Sequence, residues 1–384
     1  MSLALPIAAN RRGACPTLDT PMQTGDGLLA RLRIVGGRLT PAQLTAIAAL
    51  AAEHGNGLVE ITARGNLQVR GLTPASSAPF ARAVEALVAI ERGVVVETPP
   101  LAGDDPTELT DPRRLAATIR AQAAPLAARL GPKVTVIVDG GGQLSLAALK
   151  ADIRLTAVGP DQWTLSIAGR RAEPIITSDV PSVALRVLRS LAEMGPDARA
   201  TDLPGPAATQ AHVAAVPLGQ FVLRDTTANG IALPFGSSDH TALTALASAA
   251  TRHGIAQLRL APHHALLAIG APAAFITEAA SLGFITDPAD PRTRISACIG
   301  SEGCASGHVP ARAVAARLAP RLLGNATLHV SGCAKGCAHP RRADVTLVGR
   351  PDGYGLVISG RAGDTPAKVL RADQLESAVA ARQG

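Results

Sequence analysis

Four of the five cysteines in this 384-residue chain stand in two close pairs, and they are its most reactive grouping. Cys298 and Cys304 frame CIGSEGC, and Cys333 and Cys337 frame CAKGC. Close thiol pairs outside a small secreted framework point to metal ligation rather than to disulfides. Structural zinc sites use tight knuckles with about two to four residues between the cysteines. The first spacing here is longer, and the second sets two cysteines one helical turn apart. Gly and Ser crowd both segments, and such small residues let backbone amides approach an inorganic core and donate to its sulfides. Four thiolates on a [4Fe–4S] cubane fit this pattern better than zinc, which stays as the alternative.

Other polar residues could hold a ligand. In ARGNLQVR, the side chains of Arg64, Asn66, Gln68 and Arg70 share one face if the strand starts as early as Arg64. Arginine forks match carboxylates two bonds at a time. Lys133 precedes the apolar strand VTVIVD, and Lys335 sits between two cysteines, placed to touch a ligand or tune the charge there. His308, His329 and His339 lie near the cysteines in sequence, but no grouping of two histidines and a carboxylate has a recognisable spacing. Cys15 reads as a free buried thiol, Trp163 as core, and His54 and His253 as helix-end residues facing the negative end of the dipole.

The formal net charge of +7 raises nucleic acid as a partner. Basic residues scattered singly and an aromatic content of 2% argue against it, because few bases could stack. A polyanionic small molecule uses the same charge. No apolar run reaches the roughly 20 residues of a membrane span, and the N-terminus lacks a basic leader region. A cytoplasmic protein with neither membrane nor nucleic-acid partner is expected.

These residues are positioned by elements that occur twice. AQLTAIAALAAEHG (42–55) aligns without gaps with TALTALASAATRHG (241–254), and the register runs on through 58–71 against 257–270. Both copies read as strand, helix, strand, turn, strand. Thr40–Pro41 starts the first helix and Gly55 stops it; Asp239 and Gly254 do so in the second. After the first copy come a helix near 113–130, VTVIVD (134–139), a GGG turn and the paired strands ADIRLTAVG and QWTLSIAG. After the second come the cysteines and ADVTLVGRPDGYGLVISG, a hairpin. DLPGPAATQ (202–210) reads as the linker. The expected units are 1–97, 98–201, 202–290 and 291–384.

The stretch SGCAKGCAHPRRADVTL resembles the sulfite/nitrite reductase signature, with Ser331, Gly332, Cys333, Cys337, Asp344 and Val345 in its positions. The upstream C-x5-C is the partner that family carries. LARLRIVGGRLTPAQLTAIAALAAEHGNGLVEITARGNLQVRGL resembles its ferredoxin-like half-domain. The resemblance covers most of the chain and implies an α+β fold: a pseudo-twofold duplicated architecture, with ferredoxin-like half-domains alternating with mixed α/β domains for cluster and substrate. It implies a [4Fe–4S] cluster on Cys298, Cys304, Cys333 and Cys337. Arg64 and Lys133 match site residues of the family, while Thr135 stands where a second lysine is usual.

Within that family the chain looks like the precorrin-3B synthase branch. RGACPTLDTPMQTGDGLLARL (12–32), the Ala-His-Pro ending after Cys337 and VDGGGQLSLAALKADIRLTAVG (138–159) carry that likeness. The branch implies precorrin-3A as tetrapyrrole substrate, O2 as oxidant, an external electron donor (unidentified, NADH-linked or other), a mononuclear non-haem iron of unknown ligands, and no sirohaem. The reaction implied is hydroxylation at C20 with closure of a γ-lactone from the ring A acetate. The alternative is a sirohaem-containing sulfite or nitrite reductase, in which the cysteine at the position of Cys337 also ligates the haem iron.

Overall fold

The computed structural model describes residues 15–206 and 215–381. Residues 1–14, where a leader was sought, and 207–214, within and beyond the expected linker, lie outside the described residues.

Each repeat opens with an antiparallel hairpin, Met22–Thr24 with Gly27–Leu32 in the first and Gly219–Val222 with Thr227–Ala232 in the second. A helix follows. Pro41–His54 starts at a capping box in which Thr40 Oγ1 accepts from the Gln43 amide and the Gln43 side chain accepts from the Thr40 amide. Its counterpart His240–Arg252 is capped by Asp239, whose carboxylate accepts from the Ala242 amide at 2.9 Å. Gly55 is the C-cap of the first helix, as expected; the second ends at His253, one residue before the positive-φ Gly254. Two antiparallel strands complete each unit, Leu58–Ile61 with Leu67–Leu72 and Leu258–Ala261 with Ala265–Ile269. The partners Val59–Val69 and Ile61–Leu67 recur as Leu258–Ala268 and Leu260–Leu266, in the register read from the sequence.

The two units exchange edge strands. Ser237–Asp239, from the second repeat, pairs with Leu58–Ile61, and Arg38–Leu39, from the first, pairs with Leu258–Ala261. Each five-stranded sheet therefore ends on a strand lent by the other half. The two helices share one core, where Leu44, Ile47, Ala48 and Ala51 meet Leu243, Leu246, Ala247 and Ala250. Alanines at this contact let the helices pack closely. His54 stands edge-on to Phe80 and His253 edge-on to Phe275, so both helix-end histidines serve packing.

Two mixed sheets alternate with these units, and they share one topology. In the first, Val95–Glu97, Thr135–Asp139 and Ile153–Gly159 are parallel, and Gln162–Ile167 and Glu173–Pro174 add antiparallel strands. In the second, Ile295–Ala297, Leu328–Ser331 and Ala343–Arg350 are parallel, followed by Gly353–Gly360 and Lys368–Leu370. The first sheet packs on the helices Arg113–Ala123 and Val180–Met194, with Trp163 in its core as expected. This is the α+β, pseudo-twofold arrangement that the repeat implies. No helix among the described residues is long and apolar enough to cross a membrane.

Candidate functional site

The cysteine loops leave the carboxyl ends of two adjacent parallel strands, which is where open α/β sheets place their ligands. Cys298 follows Ile295–Ala297 directly, and Cys333 follows Leu328–Ser331 by one residue. The parallel register sets the loops side by side, and His308 N bonds Gly332 O at 2.8 Å between them. Gly332 donates its amide to Cys298 Sγ at 3.0 Å, the kind of N–H···S bond that supports a thiolate. A Cβ built on Gly25 would stand 2.6 Å from Cys304 Sγ, so only glycine leaves that thiol room. Burial and then the neighbouring Cys333, Cys298 and Cys304 push the Cys337 thiol above its ordinary value. A thiol raised by three convergent neighbours is stabilised as a thiolate by a cationic centre. Among the described residues no three His, Cys, Asp or Glu side chains close on the position of a single ion; a four-iron cluster spreads its thiolates wider than one tetrahedral metal does. Small residues, the amide on sulfur and the wide spacing all fit a cluster. Lys335 Nζ reaches across to Ser306 Oγ at 2.9 Å and ties the two loops together.

A polar ladder runs from these loops over the first repeat's sheet. Gly25 O accepts from the Ala305 amide, which docks the first hairpin on the cysteine loop. The next residue, Asp26, holds Arg70 through two bonds of 2.8 and 2.7 Å. Arg70 also reaches Glu60, and Glu60 accepts from Arg312 of the helix Ala311–Leu318 at 2.7 Å and from Gln68 at 3.0 Å. Gln68 Oε1 in turn accepts from Arg31 Nε and Nη2 at 2.9 and 2.6 Å. Burial tends to raise the Asp26 carboxyl, but Arg70 and Thr24 outweigh it and hold the group below its ordinary value.

Arg31 was not anticipated from the sequence. Its guanidinium is half-buried, has no carboxylate partner among the described residues, and lies beside the Cys15 thiol. Burial, with Arg64 and Arg33 nearby, pushes it below its ordinary value, and Cys15 opposes this. Among the described residues Arg33 donates to the carbonyls of Glu91 and Gly93, with the Glu91 and Glu97 carboxylates nearby, and Arg154 to those of Leu146 and Leu149, with Asp139 and Glu97 nearby. Arg31 beside Arg33 and Arg64, and Arg154 beside Arg64, form a basic group that an anion would stabilise. The signal was present in LARLR, where Arg31 and Arg33 alternate with the core residues Ala30 and Leu32.

The other expected ligand residues are placed differently from one another. The strand begins at Leu67, not at Arg64, so Arg64 and Asn66 occupy the preceding turn rather than a common face with Gln68 and Arg70. Gly65, at φ 79°, brings that turn against Ala261 of the other repeat. Arg64 is engaged by both oxygens of Glu97 and donates to the Lys150 carbonyl at 2.8 Å. Arg70 is committed to Asp26 and Glu60, so its fork is not offered to a ligand. Lys133 is exposed ahead of its strand, while Thr135 is buried and donates to the Lys133 carbonyl. His308 is exposed beside the cysteines; His329 is fully buried, and His339 packs against it. Burial and His339 push His329 down to about 4.

Residues 20–87 match the nitrite/sulfite reductase ferredoxin-like half-domain family. Over 410 aligned residues the chain is 40% identical to a precorrin-3B synthase from a Sinorhizobium species, covering 97% of this chain and 88% of that protein. The chain belongs to the precorrin-3B synthase family. It is 25% identical to a ferredoxin–nitrite reductase of Synechococcus elongatus, over 87% of this chain and 80% of that one. The structure of Mycobacterium tuberculosis NirA superposes with a TM-score of 0.66 at 21% identity, covering 91% of this chain and 79% of the other. The precorrin-3B synthase family thus shares its duplicated architecture with reductases. Within it, this chain is an enzyme whose paired cysteine loops and arginine group are carried on opposite halves of the repeat.

Proposed function

We propose that this protein converts precorrin-3A to precorrin-3B, hydroxylating C20 while the ring A acetate closes a γ-lactone. The full-length relationship to the Sinorhizobium precorrin-3B synthase carries this reading. A substrate cleft at this arginine group agrees with it in charge, since a tetrapyrrole edged with carboxylates suits Arg31, Arg33 and Arg154, while Arg64 stays paired with Glu97. One oxygen atom of O2 enters the product and the other leaves as water. An external donor supplies two electrons, and two protons are consumed. A [4Fe–4S] cluster on Cys298, Cys304, Cys333 and Cys337 would relay single electrons, and a mononuclear non-haem iron would supply the oxygen chemistry.

The chain's own residues bind and orient. Arg31, backed by Gln68, takes a substrate carboxylate in place of the partner it lacks. Arg64 keeps Glu97 beside the cleft, and Lys335 holds the two cysteine loops at a set spacing. Lys133 and Asn66 are proposed as further polar contacts to the substrate. Four thiols kept reduced suit the cytoplasm. The units 1–97, 98–201, 202–290 and 291–384 are our proposed domain division.

Incubation with precorrin-3A, a reductant and 18O2 should give precorrin-3B carrying one labelled oxygen; an unlabelled product would overturn the reading. A sirohaem-dependent nitrite or sulfite reductase is the second reading, favoured by the Synechococcus relative. Anaerobically purified protein should be brown, with a broad shoulder near roughly 400 nm from thiolate-to-iron charge transfer. Intense Soret and red bands would instead establish sirohaem.

A further inference from the structure

Behind the second cysteine loop lies a pair of imidazoles that neither the cysteines nor the cleft uses. His329 stands in the strand Leu328–Ser331, beside Ser296 and Thr346 on the neighbouring parallel strands. Strand alternation sends Leu328 and Val330 into the apolar core and turns His329 to the opposite face, beneath residues 332–342. Its exposure is 0%. Gly336, at φ 62°, folds the loop over the ring, and a Cβ there would stand 3.8 Å from His329 Cε1. The His339 ring lies 5.6 Å away between centroids, tilted by 57°.

Neither ring nitrogen of His329 has a hydrogen-bond partner. The hydroxyls around it are engaged elsewhere: Thr346 donates to Gly360 O at 3.0 Å and Ser331 to Cys333 O at 2.7 Å. His339 Nε2 meets Arg342 O at 3.2 Å, and its Nδ1 makes only a long contact with Ser296 Oγ at 3.5 Å. A buried polar atom left unmet is costly. An apolar side chain would pack this site without that cost, so the imidazole implies a ligand. An imidazole nitrogen offers a lone pair to a metal ion. Two rings on one ion, at metal–nitrogen distances near 2.0–2.1 Å, stand with centroids roughly 5 Å apart. The observed separation of 5.6 Å lies near that value.

We propose that His329 and His339 together hold a mononuclear divalent transition-metal ion, separate from the cysteine site. That the ion is iron rests on the function proposed above. No third protein ligand stands with them among the described residues, so the remaining positions fall to water, as in open sites with exchangeable ligands.

The test is metal analysis of the anaerobically purified protein, with electron paramagnetic resonance after addition of nitric oxide. Iron should exceed acid-labile sulfide, and the high-spin ferrous–nitrosyl signal should appear. His329→Asn and His339→Ala should each remove that signal and the excess iron, with sulfide and cluster absorbance kept. His308→Ala, at an exposed histidine outside the pair, should change neither. Iron equal to sulfide in the parent protein would overturn the proposal, as would a nitrosyl signal that survives in either variant. If His329→Asn also loses sulfide, the less buried His339→Ala decides: signal lost with sulfide kept supports the site, and signal kept refutes it. A nitrosyl signal of this kind in a protein that gives no labelled product would leave the site standing and remove the reaction.

Discussion

In the first repeat, one cross-strand row on the sheet face away from the shared core reads Arg31, Gln68, Glu60; in the second, the same row reads Gly230, Leu267, Arg259. The backbone registers are the same, and the core-facing residues are apolar in both. The second face is filled: Leu267 packs with Leu101 and Leu144 of the first mixed domain, and Arg259 is paired with Asp104. The first face is left charged, with Arg31 unpaired by any carboxylate among the described residues. The mixed sheets differ in the same way. Where the second has its cysteine loops, the first closes the equivalent loops with its own carboxylates. Asp139 accepts from the Leu146 amide at 2.7 Å and Asp105 from the Gln143 amide at 2.6 Å. One fold thus appears twice. Core-facing residues keep it standing in both copies, and the off-core residues are self-satisfied in one and left open for ligands in the other.

The asymmetry breaks most completely at the thiols. Cys333→Ser should abolish acid-labile sulfide and the iron that accompanies it and destabilise the C-terminal half, read by metal analysis and thermal melting; full cluster content would remove Cys333 from the ligand set. In the equivalent loop of the other mixed sheet, Asp139→Asn should cost about 1–3 kcal/mol of stability and leave iron unchanged.

Next in size is the ladder. Arg70→Met takes the arginine from Asp26, whose side chain is only 4% exposed, while Glu60 keeps Arg312. A loss of about 3–5 kcal/mol in urea unfolding is expected, since breaking a buried pair leaves charge uncompensated. A loss under 1 kcal/mol would mean the ladder is not coupled to folding.

Arg31→Leu removes the unpaired charge from the first face, where the second repeat has the uncharged Gly230. Tetrapyrrole affinity should fall on the order of 100-fold, while stability holds or rises because an uncompensated cation is gone. Leu267→Gln, which puts the Gln68 side chain of the first face into the second, should lose about 1–3 kcal/mol through a buried amide and leave affinity alone. Equal effects of the two changes on binding would dissolve the contrast between the faces.

The smallest effect is a pH dependence. The Asp26 carboxyl is held below its ordinary 3.8 in the folded protein. The unfolded chain therefore binds a proton there first, so the stabilisation is complete above that pH and is lost as pH falls through the folded value. Asp26→Asn should flatten this acid limb of the stability profile, and the two profiles should converge only below about pH 4. A stability gap unchanged through that range would place the acid sensitivity elsewhere.

Local chemistry was readable along the chain because it depends on near neighbours. The spacing of Cys298, Cys304, Cys333 and Cys337, the caps at Thr40 and Asp239 and the register of the two repeats each need only a few adjacent residues to be recognised. The strand face proposed for Arg64, Asn66, Gln68 and Arg70 was half right. Alternation holds from Leu67 onward, but the turn before it is set by Gly65 pressed against Ala261 of the other repeat, a contact no local pattern encodes. The same limit hid the fate of Arg70: whether a strand arginine is free or bound depends on Asp26, which is distant in sequence.

By itself, then, the amino-acid order determined the duplicated fold, the family and the four thiols, because periodicity, capping and cysteine spacing act over short stretches. Assembly determined which charges stay unpaired. Arg31 and His329 look ordinary in sequence. They become candidates only when strands far apart in the chain surround one with too few carboxylates and the other with no hydrogen-bond partner, since the cost of a buried polar group depends on what the whole fold places around it.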